Sequence, residues 1–382
     1  MSESMINVFQ PFVGQEERQI IGEVLETNWL GKGRFVNEFK TEFAKHLNIE
    51  PRRLASTTCG TEAIFLAADL FEFNSNDEII VPSISFVAVG SSIIAKQAQL
   101  VLCDVDRRTL NVTAACLEQK VTKKTKAVIL THYGGVPCEM DPILDLCKTH
   151  QIKVIEDSAC AMKALYKGRA CGTLGDMGIW SFEAGKIITT GDGGMVYLKS
   201  DHLVKDAEEY LYLGLGSNEK GGIDRSTAGN DNWWEIQIER PGRRAIMNNL
   251  AGAIGLAQLK KIDRFIARRK EIDQRYRHEL AGLPWLRLSP PPEKHCEPSY
   301  QFFWIQLNKR DELARFLRNN KVYSTFRYWP LHKIRYFGQK ETGLSNAEFA
   351  SQHTLNLPLH PALSDDDVTR VIDLVKAFGS KV

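Results

Sequence analysis

The stretch TKAVILTHYGGVPCEMDPILDLCKTHQIKVIEDSAC, residues 125–160, decides the fold. Two apolar runs, Thr125–Gly135 and Gln151–Cys160, flank MDPILDLCKTH, which has the apolar spacing of a helix. Short apolar strands separated by a helix indicate a parallel pair covered on both faces. Working outward, the pattern recurs. EIIVPSISFVAVGSSIIAKQ (78–97) reads as a strand, a turn at Pro82 and a helix, and AQLVLCDVD (98–106) reads as a further strand. The expected fold class is therefore α/β, built on a mainly parallel sheet. Such sheets take their ligands at the carboxyl ends of the strands, where Glu156 and Asp157 end the run VIED. Neighbouring side chains on a strand point to opposite faces, so one of the two carboxylates can face a ligand.

Farther along, GDMGIWSFEAGKIITTGDGG (175–194) sets a single lysine, Lys186, among small residues after an apolar patch. A catalytic lysine needs a partly dry or cationic pocket that lowers its proton affinity. The flanking glycines let a flat ligand approach the backbone. A Schiff base with an aldehyde is the most direct use of such a site, and pyridoxal phosphate is the commonest such cofactor. A surface lysine in a glycine-rich hairpin would read the same way on this stretch alone. Upstream, ASTTCGTEAIFLAADLF (55–71) brings Ser56, Thr57, Thr58 and the pair Gly60-Thr61 to a helix start. Free N–H groups and hydroxyls there suit a phosphate, although most such starts are merely capped.

Residues 12–48 carry two amphipathic helical patterns, and 214–242 is a long loop holding Trp233 and Trp234. Met247–Leu280 is the longest helical pattern, SPPPE (289–293) marks a break, and the tail alternates strand and helix. A chain of 382 residues is long for one core. We expect a large domain over 1–250 and, over 251–382, a long linking helix with a smaller α/β domain. With 49 basic and 47 acidic residues the net charge is +2, which gives no bulk electrostatic case for nucleic acid or membrane. No apolar run is long enough to span a bilayer, and MSESMINVFQ has no signal-peptide core. The eight cysteines lack CxxC or Cys/His ligand spacing, which argues against a zinc site and for reduced thiols in the cytoplasm.

The run VIEDSACAMKALYKGRACGTLGDMGIWSFEAGKIITTGDGG (154–194) resembles the core signature of the DegT-type (DegT/StrS) sugar aminotransferases. The likeness extends to VPSISFVAVGSSI, THYGGVPCEMDPI, NNLAGAIGLAQLKKID and LPLHPALSDDDVTRVIDLV, in the family's order. It implies the aspartate-aminotransferase fold, fold type I of the pyridoxal 5'-phosphate enzymes, and a homodimer with shared active sites. It also implies transfer of an amino group, from glutamate, onto a keto group of a nucleotide-linked deoxysugar. The alternatives are a keto-octulosonate, an aminocyclitol precursor, a cofactor-binding regulatory protein without turnover, or the family's dehydratase chemistry. The dehydratase branch carries His in place of the lysine, so Lys186 favours transamination.

Residue by residue, Lys186 matches the Schiff-base lysine and proton carrier, and Asp157 the partner of the pyridine nitrogen. Phe86 matches the aromatic that stacks on the ring, and Gly60, Thr61 and Ser181 the phosphate positions. Glu62 shares that helix start: its N–H can serve, while its carboxylate would repel a phosphate and point away. Three positions differ from the family pattern. Cys160 stands where Gln or His bonds the phenolic oxygen, and a thiol is a weaker donor. Arg244 stands where Asn or Lys reaches the neighbouring subunit's phosphate. Glu183 replaces a His at a substrate contact. Arg327, Tyr328, Trp329 and His332 lie where the small domain closes over the sugar, and Trp233 and Trp234 lie in the loop expected to cover a nucleobase. No metal ion is expected.

Overall fold

The computed structural model describes residues 5–215, 236–238, 240–337 and 343–379. Its strands are β1 (Leu54–Thr57), β2 (Glu78–Pro82), β3 (Gln99–Cys103), β4 (Thr125–Thr131), β5 (Lys153–Asp157), β6 (Leu165–Tyr166) and β7 (Arg169–Ala170). They continue as β8 (Met177–Ser181), β9 (Gly194–Leu198), β10 (Arg287–Leu288), β11 (Cys296–Glu297), β12 (Phe303–Gln306) and β13 (Thr354–Leu357). The helices are α1 (Gln15–Glu26), α2 (Arg34–Leu47), α3 (Gly60–Leu70), α4 (Val87–Ala95), α5 (Ala114–Glu118) and α6 (Met140–Thr149). After them come α7 (Asp201–Leu211), α8 (Asn249–Leu259), α9 (Ile262–Glu279), α10 (Arg310–Asn319), α11 (Ser345–His353) and α12 (Asp365–Gly379).

Seven strands form the main sheet in the order β1-β9-β8-β5-β4-β2-β3. The pairs from β3 across to β8 are parallel, as the apolar runs predict. At the other edge β9 returns antiparallel to β8, and β1 is antiparallel to β9. The register aligns Thr131 with Asp157 and Asp157 with Ile179, and it puts Ser181 and Thr57 beside Gly194. One row of strand ends thus carries the candidate residues. Completely buried apolar side chains on β2, β4 and β5 (Ile79, Ile80, Val128, Ile129, Ile155) fill the space under the covering helices.

The helical pattern expected from Met247 to Leu280 is two helices, α8 and α9. Asn248 caps α8 by accepting the Ala251 N–H at 2.9 Å. A Cβ on Gly252 would come within 2.7 Å of the Val36 backbone, and one on Gly255 within 2.7 Å of the Phe39 ring. The missing side chains let α8 lie close against α2. The chain then turns at Lys261, a buried lysine paired with Glu17 of α1. Further contacts also cross the expected 250/251 division. α8 packs on α1 and α2, and Ile6 joins the C-terminal core of β12, β13, α10 and α12.

Candidate active site

A cavity of about 170 Å³ opens at the carboxyl ends of β5 and β8. Gly60, Thr61, Phe86, Asp157, Ser181, Glu183, Lys186, Arg327 and Tyr328 all line it, so residues far apart in the chain, such as Gly60 and Tyr328, meet there. The strand ends, the start of α3 and the segment after α10 explain how. β5 and β8 deliver Asp157 and Ser181 directly, and β2 leads into Phe86, which stands at the start of α4 and is 37% exposed.

The start of α3 presents free N–H groups at the cavity. The first N–H groups of a helix have no partner within it, and the dipole favours negative charge there. Cys59 caps the helix and accepts the Glu62 N–H at 3.4 Å, which leaves the Gly60 and Thr61 amides at the mouth. A Cβ on Gly60 would sit 2.6 Å from Ser181 Cβ. Only glycine lets the helix start close onto β8. The Glu62 carboxylate turns away to Arg243, which also reaches Asp69 at 2.7 Å, so the repulsion expected of Glu62 is removed by pairing.

At the other end of the cavity, the Lys186 Nζ lies 3.8 Å from Cys160 Sγ, and that sulfur lies 3.4 Å from the Tyr328 hydroxyl. Burial, then Cys160 and Asp157, hold the tyrosine proton well above its usual range, so Tyr328 is a neutral hydroxyl there. Its ring centroid is 5.8 Å from that of Phe86. Asp157 is 3% exposed. Burial raises its proton affinity, and the charge of Lys186 partly offsets this. The carboxylate accepts the Ala159 N–H at 3.1 Å and the Thr131 hydroxyl at 3.5 Å, which leaves acceptor capacity for a ligand.

The lysine turn is held from several sides. Glu183 accepts the Gly185 N–H through its carboxylate at 2.9 Å and the Lys186 N–H through its carbonyl at 3.0 Å. Gln301 donates to the Gly185 carbonyl at 2.8 Å. Glu183 therefore shapes the turn as well as lining the cavity. Together these groups fit a flat, anionic ligand with a basic ring nitrogen. There is a donor-rich cradle a Cβ would fill, an accessible aromatic face, a buried carboxylate with spare acceptor sites, and an amine.

Other expected site residues stand elsewhere. His332 is fully used outside the cavity, with Nδ1 2.6 Å from Ser83 Oγ and Nε2 2.8 Å from Glu348. Trp329 is half exposed beneath Lys333 and does not line the cavity. Arg244 is exposed, its guanidinium 5.6 Å from the Tyr212 ring, and it is absent from the walls of its own chain's cavity. Trp233 and Trp234 fall outside the described residues. The reading of single motifs missed Cys59, Ile64, Ala159, Ile179 and Asp192, which also line the cavity. The sulfur cap at Cys59 had a visible signal, because it immediately precedes the Gly60-Thr61 helix start. Asp192 stands in GDGG, among glycines whose turn carries its side chain to the cavity.

The profile of the DegT/DnrJ/EryC1/StrS aminotransferase family matches residues 11–376. The dTDP-4-dehydro-2,3,6-trideoxy-D-glucose 4-aminotransferase of Saccharopolyspora spinosa is 41% identical over 372 residues, covering 97% of this chain and 95% of that protein. The GDP-perosamine synthase of Vibrio cholerae is 30% identical, with 98% and 99% covered. Among solved structures, the aminotransferase TlmJ of Streptoalloteichus hindustanus superposes with a TM-score of 0.93 at 42% identity, covering 99% of each chain.

Proposed function

Since the chain belongs to the DegT/DnrJ/EryC1/StrS aminotransferase family, we propose that it moves an amino group from glutamate onto a keto carbon of a nucleotide-linked deoxysugar, with pyridoxal 5'-phosphate as cofactor. The observation that carries this reading is one cavity holding Lys186, the buried Asp157 carboxylate and the Gly60–Ser181 cradle. The relative from S. spinosa is named for a dTDP-linked 4-keto sugar, so that class is the first acceptor to test.

When bound, the cofactor supplies an aldehyde carbon that can carry an amino group and a ring that withdraws electrons. The residues do the rest. Gly60, Thr61 and Ser181 hold the phosphate through N–H and hydroxyl donors. Phe86 would offer its face to the ring, and Asp157 would keep the ring nitrogen protonated by offering it a carboxylate in a dry place. Lys186 would hold the cofactor, and its Nζ would serve as the proton carrier, base and acid in turn. Among the lining residues Arg327 is the cation besides Lys186, and it would meet the anionic end of donor or acceptor. Arg244, exposed beside Tyr212, would complete the phosphate cup of a second copy in a two-fold homodimer. In this reading 1–250 carries the cofactor and 251–382 closes over the sugar. No helix of the described residues is long and apolar enough to cross a membrane.

Purified protein carrying cofactor should change its visible spectrum on adding glutamate and revert on adding the keto sugar nucleotide. Borohydride should fix the cofactor to Lys186. A label mapped to another lysine would overturn the assignment. Lys186→Ala and Arg244→Ala, each nearly inactive, should regain activity on subunit exchange. No regain after exchange is proved by mass spectrometry would place Arg244 outside the neighbour's site.

A further inference from the structure

Outside the lining of the Lys186 cavity, Glu139, His295 and Cys296 bring one ligating atom each within 4.8 Å of one another. Glu139 immediately precedes α6 in the part of the chain that bears the main sheet. His295 and Cys296 lie in the segment between β10 and β12, where β11 pairs antiparallel with β6. A nitrogen, a carboxylate and a sulfur thus converge from segments 157 residues apart at the widest, Glu139 and Cys296.

The geometry is held before any ion arrives. His295 Nε2 lies 3.0 and 3.1 Å from the two Glu139 oxygens, and Cys296 Sγ lies 4.0 Å from Oε1. The imidazole packs edge-on against the Tyr166 ring at 5.3 Å and 87°, which fixes its plane. The Tyr166 hydroxyl donates to Glu139 Oε2 at 3.5 Å and orients the carboxylate. Tetrahedral zinc with bonds of about 2.0–2.3 Å separates its ligand atoms by roughly 3.3–3.8 Å, so these atoms need only small shifts. Beside them opens a cavity of about 380 Å³ walled by Asn111, Pro291 and Glu293 among others, with room for a water in the fourth position.

The charge balance also favours a cation. The carboxylates of Glu139 and Glu293 both line this cavity. The nearby ammonium of Lys167 is held by Asp141 at 2.5 Å. Mixed nitrogen, oxygen and sulfur donors in a small tetrahedral space suit a borderline divalent ion; magnesium and calcium prefer all-oxygen sites.

We propose that Glu139, His295 and Cys296 form a zinc site that staples the β10–β12 segment to the sheet-bearing part of the chain. Binding removes the thiol proton from Cys296, and the proton that His295 Nε2 shares with Glu139 leaves or moves to Nδ1. The ion replaces the hydrogen bonds between His295 and Glu139 and ties the β10–β12 segment to the start of α6. This proposal is independent of the chemistry at Lys186.

The experiment is titration of Zn²⁺ into the cofactor-loaded protein by calorimetry, with thermal unfolding read alongside. We expect one zinc per chain with a Kd on the order of 1 µM, and a Tm that rises with zinc concentration. Glu139→Gln and Cys296→Ser should each weaken binding about 100-fold, on the scale of lost metal-site groups. In wild type, Co²⁺ should give a thiolate charge-transfer band that Cys296→Ser abolishes. Mg²⁺ should leave Tm unchanged. Zinc bound with equal affinity by wild type and Glu139→Gln, or no saturable binding, would overturn the proposal. Because Glu139 is exposed, Glu139→Gln should fold even if Cys296→Ser does not.

Discussion

On one face of β5 the Glu156 carboxylate accepts four N–H groups: Gly172 at 2.7 Å and His132 at 3.0 Å on one oxygen, Leu174 at 2.7 Å and Gly175 at 2.6 Å on the other. On the opposite face, one residue along, Asp157 meets a single N–H and a hydroxyl at 3.5 Å and looks into the cavity. Both side chains are buried. The Cys138 N–H donates to His132 Nδ1 at 3.0 Å, so the imidazole carries its proton on Nε2 and donates to Glu156. The Glu156 assembly is closed, with each acceptor direction used to pin the loop after β7 and the turn after β4. Asp157 is left open. A buried carboxylate with its donors already present is a structural clamp; one with spare acceptor sites beside an amine is prepared for a ligand.

Breaking the open member should cost activity. Asp157→Asn keeps the shape but cannot hold a proton on a ring nitrogen, and kcat should fall on the order of a thousandfold. Stability should move the other way. Burial raises the Asp157 proton affinity in the folded chain. Its contribution to stability is therefore present below the unfolded value and lost as pH rises through the folded one. In urea titrations without cofactor, Asp157→Asn should be the more stable protein at neutral pH, with the difference vanishing below about pH 4. A less stable variant at pH 7 would mean that Asp157, too, is a clamp.

Breaking the closed member should do the reverse. Glu156→Gln turns an amide NH₂ toward N–H donors and should lower stability by roughly 3 kcal/mol, while the molecules still folded keep most of their turnover. A urea midpoint equal to that of wild type would erase the contrast between the two faces. The smallest effect is expected at Cys160, beside Lys186 and Tyr328. Its weak donor replaced in Cys160→Gln by an amide should leave kcat within about threefold. Loss of cofactor binding, seen in the visible spectrum, would show that the space around the thiol has been fitted to its size.

Sequence by itself determined the frame. The apolar runs of β2, β4 and β5 and the intervening helices read directly, because period and length are local properties that burial on both faces imposes. The sequence also set Lys186, the Glu156-Asp157 strand end and the Gly60 helix start apart as candidates, and Lys186, Asp157 and Gly60 line one cavity. Strand alternation alone left Glu156 and Asp157 as a pair and the family resemblance chose Asp157; the four donors that engage Glu156 are seen only in the structure. The antiparallel return of β9, the division of the long helical pattern at Lys261 and the removal of His332 to Ser83 and Glu348 were decided by tertiary packing. The cysteine spacing spoke against a zinc site, yet Cys296 and His295 come to Glu139 across the fold. Spacing along the chain reports only those ligands that a single turn can hold together. A site closed by two distant segments exists only once the sheets have brought them face to face.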